Sequence, residues 1–168
     1  MAHKSSWWFV KGACVTEIKM DVKALQRKAI EFRKKIVQVT NAAGSGHPGG
    51  SLSAVEILIS LYHYKLRHRP TDPHWADRDR LIISKGHASP AAYVALADSG
   101  YFPQEELKTF RKLGARLQGH VHRKVPGVEL NTGSLGHGLS VANGMALAAK
   151  MAKKDFYEIL GVNRDASD

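Results

Sequence analysis

Val22, Leu25, Ala29, Phe32, Ile36 and Val39 recur at alternating steps of three and four residues, with Lys, Arg and Glu between them. That spacing lays one apolar stripe along a helix and places the charges on its other face. The helix is expected to end near Ala43, where Gly44 can adopt a left-handed cap. Residues 1–19 show neither helical nor strand period and read as an irregular extension, so the patterned chain begins at Met20. Further on, Ser53 and Glu56 have capping-box spacing, and Val55, Ile57, Leu58, Leu61 and Tyr62 predict a largely buried helix behind them. Pro70 and Pro73 interrupt the chain, and Leu81-Ile82-Ile83-Ser84 then predicts a short buried strand of the parallel-sheet kind.

Ser89 and Pro90 suit the N-cap and first position of another helix, which Gly100 closes. Pro103, Glu105 and Glu106 open a further predicted helix, stopped by Gly114. Residues 117–131 read as loop, with a turn at Pro126-Gly127. A last helix, rich in small residues, is expected from about Leu139 to Lys150. Strand, glycine loop and helix in that order point to an α/β domain that binds ligands at strand C-terminal ends. Only one strand is evident.

At 168 residues and 43% hydrophobic, the chain has room for one domain with a real core. Its formal charge of +10 raises the question of nucleic acid. Lys and Arg are scattered among acids, however, and the denser runs Arg33-Lys34-Lys35 and Arg67-His68-Arg69 lie on or at the end of helical segments. A solvated face is therefore expected rather than a nucleic-acid stripe, and the positive field suits phosphorylated small molecules. A single cysteine, Cys14, excludes an intrachain disulfide and fits a reducing compartment. No apolar run approaches the ~20 residues that cross a bilayer, so a cytoplasmic protein is expected.

The candidate chemistry sits in glycine-histidine words: Gly44-Ser45-Gly46-His47-Pro48-Gly49-Gly50, Lys85-Gly86-His87-Ala88-Ser89 and Gly133-Ser134-Leu135-Gly136-His137-Gly138. Glycine lets backbone approach a ligand, imidazole supplies a titratable donor or acceptor, and each word leads into a helix start. Together they predict an anion or cofactor cradle.

With Asp79-Arg80-Leu81-Ile82-Ile83-Ser84 ahead of Lys85, and Thr132 ahead of Gly133, these words resemble the N-terminal thiamine diphosphate-binding domain of transketolase over residues 20–150. The resemblance is to the style that some organisms encode as two polypeptides. It implies a doubly wound α/β fold, here a helix-rich N-terminal fragment with one or so strands. It also implies transfer of a two-carbon ketol unit between sugar phosphates with thiamine diphosphate and Mg²⁺. By resemblance, His47 and His120 are the catalytic candidates: His47 reaches the substrate oxygens near the reacting carbon, and His120 stands where the family has another active-site histidine. His87 is a ligand of the cofactor diphosphate, and Gly133, Ser134, Leu135 and Gly136 form the loop against the cofactor rings. The family usually has proline after the histidine at position 120, whereas this chain has Val121-His122. His137 stands where glutamine is commoner and is given no role, and His63, His68 and His74 are read as surface or packing residues.

The family's Gly-Asp-Gly metal loop and the asparagine that completes it are expected soon after Lys150 and do not appear, so no metal ligand is assigned. The pyrimidine-binding half is also missing. The expected partners are therefore a pyrimidine-binding subunit or a homodimer partner, with no nucleic acid and no membrane. From Met151, the run Met151-Ala152-Lys153-Lys154-Asp155-Phe156-Tyr157-Glu158-Ile159-Leu160-Gly161-Val162 resembles the opening of a DnaJ-type J domain without its His-Pro-Asp loop. The expected organisation is an extension (1–19), a truncated cofactor domain (20–150) and a truncated J-domain-like start (151–168). The expectation is a marginally stable chain with exposed apolar surface, inactive alone. Its alternatives are a non-catalytic module that docks on a transketolase half and a co-chaperone, the second disfavoured by the missing loop.

Overall fold

The computed structural model describes residues 20–151, and within them the chain is helical with no β-strand. The first helix, α1 (Val22–Ala42), starts at Asp21, whose Oδ1 accepts a 2.7 Å hydrogen bond from the Ala24 amide. Capping of this kind satisfies one of the free amides of a first turn. Ala29, Phe32, Ile36 and Val39 are buried as the periodicity predicts, whereas Val22, the first residue of the helix, is 70% exposed. Gly44 follows with φ +62°, as expected of a left-handed cap.

Two short helices come next, α2 (Pro48–Leu52) and α3 (Val55–Ser60), the latter widening into a π-helical turn over Leu61–Lys65. Val55, Leu58, Ile59 and Tyr62 form the buried face. Ile57, predicted to be buried, is off that stripe and 62% exposed. The expected capping box does not form. Ser53 Oγ instead donates to the Gly50 carbonyl, and Glu56 turns to Arg33 on α1.

The helix α4 (Ser89–Asp98) is the centre of the molecule: every residue from Ser89 to Ala97 is buried. Its sequence explains this, since four alanines among Tyr93, Val94 and Leu96 let neighbours approach from all sides. It packs against α1, α2 and α3. Burial of Val94 and Leu96 is worth roughly 1.5–3 kcal/mol each. At its C-terminal end, Asp98 is nearly buried and lies 2.6 Å from Lys28 Nζ, 3.0 Å from His63 Nε2 and 3.6 Å from Lys35 Nζ. Burial alone would push the Asp98 carboxyl up. The contacts from His63 and Lys28 outweigh it and hold the group well below the usual carboxylate range. This cluster clips α4 to α1.

The strand predicted at Leu81–Ser84 is half-buried chain without a ladder among the described residues. A strand needs a neighbour to pair with. Here the Ile83 carbonyl accepts from Thr132 Oγ1 (2.6 Å) and the Ser84 carbonyl from the Gly136 amide (3.2 Å). The helix expected after Pro103 is only a 3₁₀ stretch, Gln104–Thr109, after which Arg111 takes a left-handed backbone (φ +58°). The last helix, α5 (His137–Met151), is exposed or half-exposed from His137 to Lys150 except at Gly138, with Leu139 and Leu147 65% and 62% exposed. The expectations for residues 1–19 and 152–168 lie outside the described residues.

Candidate functional site

The three glycine-histidine words come together on one side of α4. The close approach of their backbones requires glycine at two positions. A Cβ on Gly86 would lie 1.8 Å from the Thr132 carbonyl oxygen, so the second and third words can touch only without a side chain there. A Cβ on Gly50 would lie 2.9 Å from His87 Nε2, so the first word leaves room for the ring of the second. Lys85 adds a direct link, its Nζ donating to the Gly50 carbonyl (2.7 Å) and to Ser53 Oγ (2.8 Å).

As a result the His47 ring sits 5.3 Å from that of His87 and 6.4 Å from that of His120, centroid to centroid. His47 precedes α2 and His87 lies in the 3₁₀ turn Gly86–Ala88 that leads into α4. The loop carrying His120 is fixed from below. The fully buried Tyr93 donates its hydroxyl to the His120 carbonyl (2.9 Å), and the Val121 amide donates to the Gly86 carbonyl (3.1 Å). Burial pushes the Tyr93 phenol up, which keeps it a neutral donor at ordinary pH.

These residues open on a cleft of about 750 Å³ lined by His47, His120, Thr132 and Gly133, with Arg111, Gln118, His122 and Asn131 on its wall. Ser134, Leu135 and Gly136 continue from it as an exposed loop into α5, where Leu135 is 69% exposed. The structure therefore brings His47, His87, His120 and Gly133 together and sets Ser134 to Gly136 on the adjoining rim. His63 packs beside Asp98, and His68 stacks on Tyr101, in keeping with packing roles. Arg111, Gln118 and Asn131 were not among the sequence candidates. Arg111 sits in a stretch patterned like helix, and nothing in its neighbours signals the left-handed turn that aims it here. Among the described residues, no three His, Cys, Asp or Glu side chains are grouped so as to hold a metal ion. No helix there is long and apolar enough to cross a membrane.

Fold and cleft define a helix-rich domain whose glycine loops gather imidazoles beside one cleft. The chain belongs to the transketolase thiamine diphosphate-binding domain family, whose pattern matches residues 25–162. That span runs past Met151, where the J-domain-like reading of the sequence begins.

An apulose-4-phosphate transketolase subunit from Phocaeicola vulgatus is 43% identical over 144 residues, covering 84% of this chain and 51% of that protein. A 6-deoxy-6-sulfo-D-fructose transketolase subunit from a Clostridium species is 45% identical over 140 residues, covering 82% and 51%. Among solved structures, transketolase from Campylobacter jejuni superposes with a TM-score of 0.75 at 42% identity, covering 80% of this chain and 21% of that one. The matched part of the chain thus spans about half of the subunit relatives and about a fifth of the single-chain enzyme.

Proposed function

We propose that this chain supplies the diphosphate-side wall of a thiamine diphosphate-dependent ketol-transfer site and works with a second polypeptide that supplies the rest. The observation that carries the reading is the gathering of the His87 and His120 rings around His47, with His47 and His120 lining one cleft. In this reading His87, with Gly133, Ser134, Leu135 and Gly136, holds the cofactor. His47 and His120 face the substrate oxygens, orient them and move protons there. When bound, thiamine diphosphate supplies the carbanion chemistry that carries a two-carbon unit between sugar phosphates. The donor character of the cradle fits a diphosphate: Gly50 leaves the space that His87 fills, and no carboxylate lines the cleft among the described residues.

Mg²⁺ does not fit in the same way, since the described residues offer no ligand set, and no step is assigned to it. The exposed Leu135, Leu139 and Leu147 support a face covered by the partner. The two-subunit character of the relatives points the same way, as does their action on sugar derivatives.

The test is reconstitution. The chain is mixed with the pyrimidine-binding subunit of a two-subunit transketolase, and complex formation and ketol transfer are measured. Co-elution with cofactor-dependent transfer is the full expected result, and co-elution alone supports the docking part. Two components that elute separately at micromolar concentration refute the proposal.

A further inference from the structure

The stretch that carries His120 owes its course to the helix beneath it. Hydrogen bonds tie residues 117–121 to two neighbours, the turn at Arg111 and the segment that opens with Gly86-His87 and runs on as α4. The Arg111 amide donates to the carbonyl of the fully buried Leu117 (2.8 Å). The Val121 amide donates to the carbonyl of Gly86 (3.1 Å), the residue before His87. Between these two, the Tyr93 hydroxyl donates to the His120 carbonyl itself (2.9 Å). Burial raises the Tyr93 phenol, and a hydrogen bond from the Gln118 backbone opposes that rise, so the hydroxyl meets the loop on both sides of Gly119.

Tyr93 is fully buried, and its ring stands edge-on to Phe110 with centroids 6.2 Å apart. A close-packed ring cannot follow a wandering loop, so its hydroxyl is a fixed point to which the loop conforms. His120, by contrast, is exposed at the cleft, and among the described residues no hydrogen bond reaches its ring. Where that ring stands therefore depends on its backbone.

We propose that Tyr93 is a positioning residue for His120. It fixes the backbone from which the ring reaches the substrate, and it ties that backbone to the element that carries His87. The two histidines then move as one body, so the one that holds the cofactor sets the place of the one that meets the substrate. The proposal rests on the ketol-transfer reading of the cleft and adds to it a residue that does not line the cleft. Without the hydroxyl the His120 carbonyl loses its partner and the loop shifts to find another. Misplacing a reacting group by about 1 Å is enough to slow a reaction up to about a hundredfold.

The experiment compares the wild type with two variants of α4. Tyr93→Phe deletes one oxygen and keeps the ring. Val94→Ala removes buried apolar volume at the next residue and leaves the bonds to residues 117–121 in place. The full chain is labelled with ¹³C in its histidine rings, and the His120 signal is assigned from its loss in His120→Gln. Spectra are taken well below the melting temperature of each variant. In Tyr93→Phe the His120 signal is expected to shift and broaden while that of exposed His74 stays, and in Val94→Ala both stay. A His120 signal unmoved by Tyr93→Phe, or disturbed equally by Val94→Ala, overturns the proposal.

Ketol transfer in the complex with a pyrimidine-binding subunit gives the second readout. Tyr93→Phe should lower kcat about tenfold and keep KM within about twofold, because a misplaced imidazole slows proton movement without loosening substrate. Val94→Ala should keep the wild-type kcat. A Tyr93→Phe complex with wild-type kcat overturns the proposal. A wild type that shows no ketol transfer counts against the reading of the cleft alone, and the ring spectra then decide by themselves whether Tyr93 sets the place of His120.

Discussion

Replacing Asp98 by Asn tests what holds the central helix in place. Asp98 retains only 8% of its side-chain surface, and Lys28, His63 and Lys35 all point at it. Removing one partner of a buried pair costs about 3–5 kcal/mol because the remaining charges are stranded. Lys28 and Lys35 keep 17% and 28% of their side-chain surface and can turn to water, which lowers the expected loss to roughly 2–3 kcal/mol. That corresponds to a melting temperature lower by about 10 °C.

The pH dependence has a definite sign. The folded carboxyl is held below its usual range, so the unfolded chain binds the proton more tightly. The stabilisation is complete above the unfolded value of about 3.9 and is lost as pH falls through the lower folded value. Urea denaturation followed by circular dichroism, at pH 7 and at steps down to about pH 3, should show the wild type and the Asp98→Asn variant converging as the pH falls. A variant within about 0.5 kcal/mol of wild type at pH 7, or a gap that persists undiminished in acid, would refute the reasoning.

Gly50→Ala should displace the His87 ring, because its Cβ would come 2.9 Å from Nε2. Thiamine diphosphate binding about tenfold weaker by calorimetry, with little change in melting temperature, is expected. Gly86→Ala meets backbone rather than a movable side chain, at 1.8 Å from the Thr132 oxygen, and should cost about 3 kcal/mol or more in thermal denaturation. Tyr93→Phe removes the bond to the His120 carbonyl, with an expected loss of about 1 kcal/mol. Faster hydrogen exchange at the Val121 amide, whose bond to Gly86 belongs to the same loop, should accompany it.

How much of this was legible in the sequence depended on where the forces act. The α1 stripe was readable because the repeat alone sets the face. The glycine words were readable because few other roles suit that composition. Leu81–Ser84 was misread as a strand because its apolar run specifies burial, while pairing requires a neighbour that the described residues do not contain. Ser53 and Glu56 had the spacing of a capping box, yet Lys85 and Arg33 took them as partners from elsewhere in the fold. Arg111 was invisible for a related reason. Its left-handed backbone is held by its amide bond to the Leu117 carbonyl (2.8 Å), a contact made only once the loop has closed.

The central claim is that the three glycine-histidine loops form one cofactor cradle. Calorimetric titration of thiamine diphosphate into the wild-type chain, the His87→Ala variant and the His74→Ala variant tests it most directly. His74 is exposed and lines a separate groove with Arg78 and Arg123, away from His47. Binding heat in the wild type and in His74→Ala, lost in His87→Ala, is the predicted result. No binding in the wild type, or equal binding in all three, would contradict the account.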